Sequence, residues 1–414
     1  MVVSEYLLAL SFRQKGRIMK FKGLTIGIVK EIMKNENRVA GTPETVKKMT
    51  DGGARVLIET GAGRGSFFSD EDYKKVGAEI VVDPESIFQT ASILLKVKEP
   101  QFNEAKGKHE VEMMTSGQVL ITFLHPANPS NHEMIKNLAD KGVIGFSLDC
   151  IPRISRAQAM DALTSMSTVA GYKGIISAAS RLPKFLPMLG TAVGMVQPAV
   201  AFVIGAGVAG LQALATAKRL GAVIHAADVR PDAVEQAKSL GAKIVETGVP
   251  AELAIGEGGY AKHLPDKWIA REREAFSEII KKADIVVLSA LIPRKIAPIL
   301  VDEEMVRSMK PGSAIIDIAI DQGGNCALTE HGTVCIKHDV SIDGTQNIPG
   351  SVPSSASWMF AQNVFNFVGL MVNDGKIDIN KTDEIIASSL VTENGKIVNR
   401  DILDELQYFK EHES

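Results

Sequence analysis

A chain of 414 residues, 45% of them hydrophobic, is long enough for two or three domains with well-filled cores. Its 46 Lys plus Arg nearly balance 49 Asp plus Glu, and the basic residues form no stripe with interleaved aromatics, which argues against a nucleic-acid partner. Three cysteines without C-x-x-C spacing suit a reducing compartment, and the isolated histidines give no metal-ligand spacing, so no metal is expected.

Residues 1–20 read as an N-terminal extension with Met19 a candidate start, because the apolar Tyr6 to Leu10 precedes its basic residues, the reverse of a signal peptide. Residues 24–29 then read as a strand, and Thr42-Pro43-Glu44 as the N-cap, first position and acidic first turn of a helix. Strand patterns at 55–59, 93–97, 119–123 and 143–146 alternate with helical ones, which predicts a first α/β domain over 21–160. The glycines of Gly61-Ala62-Gly63-Arg64-Gly65 are read as a loop, since Ser66-Phe67-Phe68-Ser69 follows where a nucleotide-binding helix should begin.

Gly205-Ala206-Gly207-Val208-Ala209-Gly210 is different, because a buried strand (198–204) leads into it and a helical pattern (211–220) leaves it. The first glycine suits the tight turn, the second admits a pyrophosphate and the third lets helix pack on strand. The helix N-terminus offers free N–H groups and a positive dipole end to the phosphates. A second strand, 223–227, ends in Asp228, near the spacing of the acid that holds an adenine ribose, which favours NAD(H), with Arg230 leaving NADP(H) open. Further strands at 243–245, 285–288 and 314–317 complete a Rossmann domain over 161–349, and residues 247–262 are expected to form a mobile surface loop. Residues 350–414, including an apolar run at 364–372 too short to span a membrane, should return to complete the first domain. The expected fold class is α/β, with two Rossmann-like doubly wound parallel-sheet domains and a cleft between them.

Arg38, Lys98, His125 and Asp321 each sit at or beyond a strand end, where such folds open their crevice. Arg38 and Lys98 suit a substrate carboxylate, His125 a proton exchanged near neutral pH, and Asp321 the orientation of that relay. They suit surface ion pairs and turns as well. A second set, Arg153, Gln158 and Asp161, lies on a polar segment running into a helix and offers donors and acceptors to a nicotinamide amide; a charged helix start reads the same way.

The run from Pro152 to Gly171, the segment from Phe185 to Ala199, the glycine turn, Gly258-Gly259-Tyr260-Ala261, Ala290-Leu291-Ile292-Pro293 and Gly323-Gly324-Asn325-Cys326 together resemble the alanine dehydrogenase and transhydrogenase family over nearly the whole chain. The resemblance is nearer to the NAD(H)-binding portion of proton-translocating transhydrogenases. It implies that Arg153, Gln158 and Asp161 lie beside the nicotinamide, and that Gln158 reaches toward NADP(H) on a partner. It further implies that Thr164, Ala290 and Leu291 line the nucleotide and that Tyr260 sits on a loop closing over it. The same resemblance implies a homodimer, placed in the cytoplasm at the inner membrane by membrane-spanning and NADP(H)-binding subunits. In alanine dehydrogenases, residues matching Arg38, Lys98, His125, Asp321 and Asn347 bind substrate and move protons. Transhydrogenase subunits usually lose the lysine and histidine that this chain keeps, so an amino-acid dehydrogenase is the alternative reading and a non-catalytic NAD-binding scaffold the third.

Overall fold

The computed structural model describes residues 20–126, 128–256, 262, 264–292 and 296–404. The chain forms two compact units, Met1–Leu163 with Pro353–Ser414, and Thr164–Val352.

The first unit begins with β1 (Thr25–Ile28), β2 (Arg55–Glu59), β3 (Glu79–Val81), β4 (Ile93–Leu95), β5 (Val119–Thr122) and β6 (Ile144–Ser147). They pair in parallel in the order 3-2-1-4-5-6. The strands of such a sheet are covered on both faces, and β4 and β5 are buried at every position. Gly27 has no Cβ because one would lie 2.5 Å from Ile87, so the helix Pro84–Thr90 can press directly on the sheet. Thr42 caps the helix Pro43–Asp51 in a reciprocal box with Thr45. The chain order reverses between β1 and β4, and beyond the carboxyl ends of β1, β4 and β5 run the segments carrying Arg38, Lys98 and His125.

The second unit holds β7 (Val200–Ile204), β8 (Val223–Ala227), β9 (Lys243–Ile244), β10 (Ile285–Leu288), β11 (Ala314–Asp317), β12 (Val334–Lys337) and β13 (Val340–Asp343). Their order is 9-8-7-10-11-13-12, parallel except for the β12–β13 pair. Here the reversal falls between β7 and β10, beside the glycine turn. Both units are thus Rossmann-like.

After Val352 the chain re-enters the first unit through the helix Pro353–Met371, whose Phe360, Val364, Phe367 and Val368 are buried. β14 (Leu390–Glu393) then pairs antiparallel to β6, and β15 (Lys396–Ile397) antiparallel to β14. These edge strands, β12–β13 and a two-stranded hairpin (Leu189–Thr191 with Gly194–Val196) add antiparallel pairs to the expected parallel pattern.

The first core contains a buried charge. Lys96, fully enclosed just after β4, lies 3.3 Å from Glu31 and 3.1 Å from Glu110. Burial opposes its charge, but the two carboxylates outweigh this and raise the ammonium's pKa. Burial pushes Glu31 up to about 7 against the pull of Lys96. Glu31 also accepts the backbone N–H of Val97 and of Lys98, so the triad fixes the segment that presents Lys98. Lys96→Met should leave two enclosed acids without a counter-ion and cost about 3–5 kcal/mol. The check is a lowered denaturant midpoint at unchanged slope.

Candidate functional sites

The glycine turn follows β7 directly. Gly205 has φ +89°, a conformation L side chains rarely adopt, and a Cβ on it would meet the backbone of Ser289 and Ala290 at about 2.7 Å. A Cβ on Gly210 would lie 1.9 Å from the Gly205 carbonyl oxygen. Gly207, in contrast, faces open space but for the Arg230 guanidinium at 3.8 Å. It caps the helix Val208–Arg219 without any side-chain acceptor, and Val208 and Ala209 are only half-buried. The helix start therefore presents unclaimed N–H groups beside a glycine that leaves room, which fits a dinucleotide pyrophosphate.

Asp228, just past β8, accepts the Ala206 N–H at 2.8 Å, which ties the turn to the neighbouring strand end. It also accepts the Arg230 N–H and both Nε and Nη2 of the Arg230 guanidinium, at 2.8, 3.0 and 2.8 Å. The expected ribose acid and the residue that left NADP(H) open are thus one ion pair.

A polar lock holds the opposite wall, and its motif is visible in the sequence although its role is not. Asn325, fully buried, donates to the Ala290 and Pro298 carbonyls and accepts the Ala290 N–H. Asp317, at the end of β11, in turn accepts the N–H groups of Asn325 and Cys326 and the Thr329 hydroxyl. Burial raises the Asp317 carboxyl's pKa while those hydrogen bonds oppose it. Ser289 donates to the Gly205 carbonyl at 2.7 Å, so Ala290 and the exposed Leu291 are held beside the turn. Gly171, on the helix Ala162–Arg181 that also carries the half-buried Thr164, touches the same place, since a Cβ there would be 2.1 Å from the Ala209 carbonyl oxygen.

In the first unit, Lys98 and His125 come together: Nζ lies 3.3 Å from Nε2. His125 Nδ1 lies 2.9 Å from Asp149 Oδ1. The imidazole is thus held between a carboxylate on its Nδ1 side and an ammonium on its Nε2 side. Sequence reasoning missed Asp149. It lies just beyond β6, beside the β5 end that carries His125, and that strand adjacency is the signal for it. It also accepts the N–H groups of Leu124 and His125 and the Ser147 hydroxyl, and so pins His125 at φ +44°. Burial alone would raise Asp149, but attraction to the His125 ring and these hydrogen bonds prevail and bring it down to about 2. Phe123 stacks on the imidazole at 5.3 Å. Glu99 is buried with one oxygen 3.8 Å from Nε2 and without a hydrogen-bond partner.

Arg38 is also buried, with two of its donors forked onto Glu36. Asp321 is exposed on the short helical turn Ile318–Gln322, and Asn347 has φ +51° before the turn Ile348–Ser351; both belong to the second unit. Arg153, Gln158 and Asp161 share one short segment of the first unit, with Arg153 and Gln158 exposed and Asp161 half-buried. That segment is braced: Asn363 and Asn366 both donate to the Ala159 carbonyl, and Arg156 makes a fork to Asp383 at 2.6 and 2.9 Å. Tyr260, its glycine neighbours and residues 1–19 lie outside the described residues. Among the described residues, no cluster of three acidic, His or Cys side chains suits a metal.

Two family models match: the alanine dehydrogenase/PNT N-terminal domain over residues 27–170 and the corresponding C-terminal domain over residues 174–400. An NAD(P) transhydrogenase alpha-subunit polypeptide of Rhodospirillum rubrum is 41% identical over 379 residues, 91% of this chain and 98% of that protein. The alanine dehydrogenase of Bacillus subtilis (strain 168) is 32% identical over 395 residues, 93% of this chain and 95% of that protein. A solved transhydrogenase from Sinorhizobium meliloti superposes with a TM-score of 0.79 at 40% identity, covering 90% of this chain and 100% of that one. Two Rossmann-like units, a glycine turn tied to an acid, and both matches spanning nearly the whole chain make this protein a member of the alanine dehydrogenase/PNT family.

Proposed function

We propose that this chain is the NAD(H)-binding component of a proton-translocating NAD(P) transhydrogenase. NAD(H) at the glycine turn would supply or take the hydride, and NADP(H) on a partner subunit would be the other party. The braced segment of Arg153, Gln158 and Asp161 carries this reading. Two asparagines and an ion-pair fork hold it, yet Arg153 and Gln158 are both left exposed. A polar surface fixed in advance suits a second nucleotide domain, because hydride transfer needs donor and acceptor held at about 3–3.5 Å with water excluded. The greater likeness to transhydrogenase subunits than to alanine dehydrogenase points the same way.

In this reading the chain works in the cytoplasm at the inner membrane, attached through membrane-spanning partners; no described helix is long and apolar enough to cross a membrane. It works as a homodimer. The hairpin around Val193 supports that, with Val193 98% and Met195 62% exposed and Phe185 and Met188 exposed just before it, because two lone strands need an apolar surface to pack on.

A second reading, an NAD-dependent dehydrogenase of alanine or a related amino acid, rests on the Lys98–His125–Asp149 relay, which direct hydride exchange does not use. The unpartnered oxygen of Glu99 beside it offers an acceptor to a substrate amine.

Mixed with an NADP(H)-binding partner domain, the chain should exchange hydride between nucleotide analogues, and Gln158→Asn should slow single-turnover exchange by about tenfold, on the order of 1.4 kcal/mol in the barrier. An unchanged rate would remove Gln158 from the step. The second reading predicts NAD reduction by the chain alone on some member of an amino-acid panel, abolished by His125→Ala. No activity in a preparation shown to bind NADH would eliminate it. Val193→Asp with Met195→Lys should shift the sedimenting species from dimer to monomer; a dimer that persists would place the contact elsewhere.

A further inference from the structure

Glu272 lies on the helix Asp266–Ile280, which leads into the start of β10 and so runs opposite to the strands of the second sheet. Phe276 packs edge-on against Phe202 of β7, with ring centroids 5.5 Å apart, and shares a buried cluster with Ala227 at the end of β8. Glu272 sits one turn earlier on the same helix face, toward the carboxyl ends of the strands. That is the end where β8 passes into Asp228 and the glycine turn begins. The side chain is enclosed, at 5% exposure, and no described residue makes an ion pair or hydrogen bond with it. A carboxyl group is costly there.

Charge accounts for its place. Burial pushes the Glu272 carboxyl up to about 7, and the negative charge of Asp228 pushes it further in the same direction. Asp228 is the one described ionisable group whose charge bears on it appreciably. Of the neighbouring arginines that are described, Arg230 is bound to Asp228, Arg273 donates to the Ile299 carbonyl, and Arg271 lies near Glu274. Among the described residues, this end of the turn therefore combines two acids with one guanidinium. Arg230 matters because an arginine at this place is what accommodates a 2′-phosphate in NADP(H) sites. Neutralising Asp228 would weaken its hold on that guanidinium, but Glu272 would keep its own charge at this end of the sheet.

We propose that Glu272 is a second nucleotide-selecting residue, keeping the adenine-ribose end negative with Asp228 so that a 2′-phosphate is refused even when Asp228 alone is neutralised. This rests on NAD(H) being held at the glycine turn. The test measures NADH and NADPH dissociation constants by calorimetry on the full chain and on Glu272→Gln, Asp228→Asn and the double variant, at pH 6 and pH 8.5. At pH 8.5 the double variant should bind NADPH about tenfold more tightly than Asp228→Asn, the equivalent of about 1.4 kcal/mol. At pH 6, where Glu272 takes up its proton, that ratio should shrink toward one; titration of the ligand's own phosphate cancels because both variants meet the same NADPH. Glu272→Gln alone should leave NADH affinity within about threefold. NADH binding retained with equal NADPH affinity in the two Asp228 variants at both pH values would overturn the role of Glu272. A wild-type chain that failed to bind NADH would overturn the nucleotide reading itself and this inference with it.

Discussion

The approach of two backbones at Gly210 and Gly205 is the constraint on which the second unit depends. With 1.9 Å between a hypothetical Cβ and a carbonyl oxygen, no other residue lets the helix Val208–Arg219 start so close to β7. Gly171 imposes the same condition from a second helix, against Ala209. Once these contacts are met, the helix start, the Asp228 carboxylate and the wall at Ala290 converge without further help, because Asp228, Ser289 and Asn325 each bond a different stretch of the turn or its flank. Close packing of interiors makes such points all-or-none: a methyl group has nowhere to go but through a shift of a whole helix.

The first unit solves a different problem, that of holding charged groups in place beyond a parallel sheet. Lys96 between two acids fixes the segment of Lys98, and Asp149 fixes the backbone and ring of His125. A positive φ at a histidine costs of order 1–3 kcal/mol unless its surroundings over-determine it. Asp149 supplies that by accepting two successive N–H groups and the imidazole at once. Strain held by a charged acceptor is a feature of built sites rather than of incidental turns, and it sets the Lys98–His125 pair apart from the ion pairs scattered over the surface.

Much of this was readable in the amino-acid order. Strand cores such as 55–59, 223–227, 285–288 and 314–317 stand out because a parallel strand covered on both faces is a nearly unbroken apolar run. The glycine turn was legible because steric limits at Gly205 and Gly210 leave little choice of residue there. What escaped was whatever depends on segments distant in sequence lying side by side: Asp149 beside His125 and Asn325 beside Ala290. The antiparallel additions escaped for another reason. β14, β15 and the hairpin around Val193 are short, and short runs carry too little periodicity to separate strand from loop. Arg38 shows a local limit as well, since its fork onto Glu36, two residues away, depends on a side-chain geometry that residue spacing does not encode.

Two features of the first unit pull the functional question in opposite directions. Hydride passing directly between nicotinamides requires position and dryness but no acid or base, so a transhydrogenase component gains nothing from a lysine–histidine–aspartate relay. Oxidising an amine requires a proton acceptor as well, and an imidazole held between a lysine and an aspartate is suited to that exchange. Retaining the relay is costly, because it keeps an enclosed Lys96 triad, a strained His125 and an unpartnered Glu99 oxygen in one core. Bracing the segment of Gln158 so firmly while leaving it exposed has no use in an enzyme that meets only a small substrate. The braced segment weighs more, because a polar cluster such as the relay can be kept for its structural role in fixing β5 and β6, whereas an exposed glutamine held out by three separate anchors stabilises nothing that the fold itself requires.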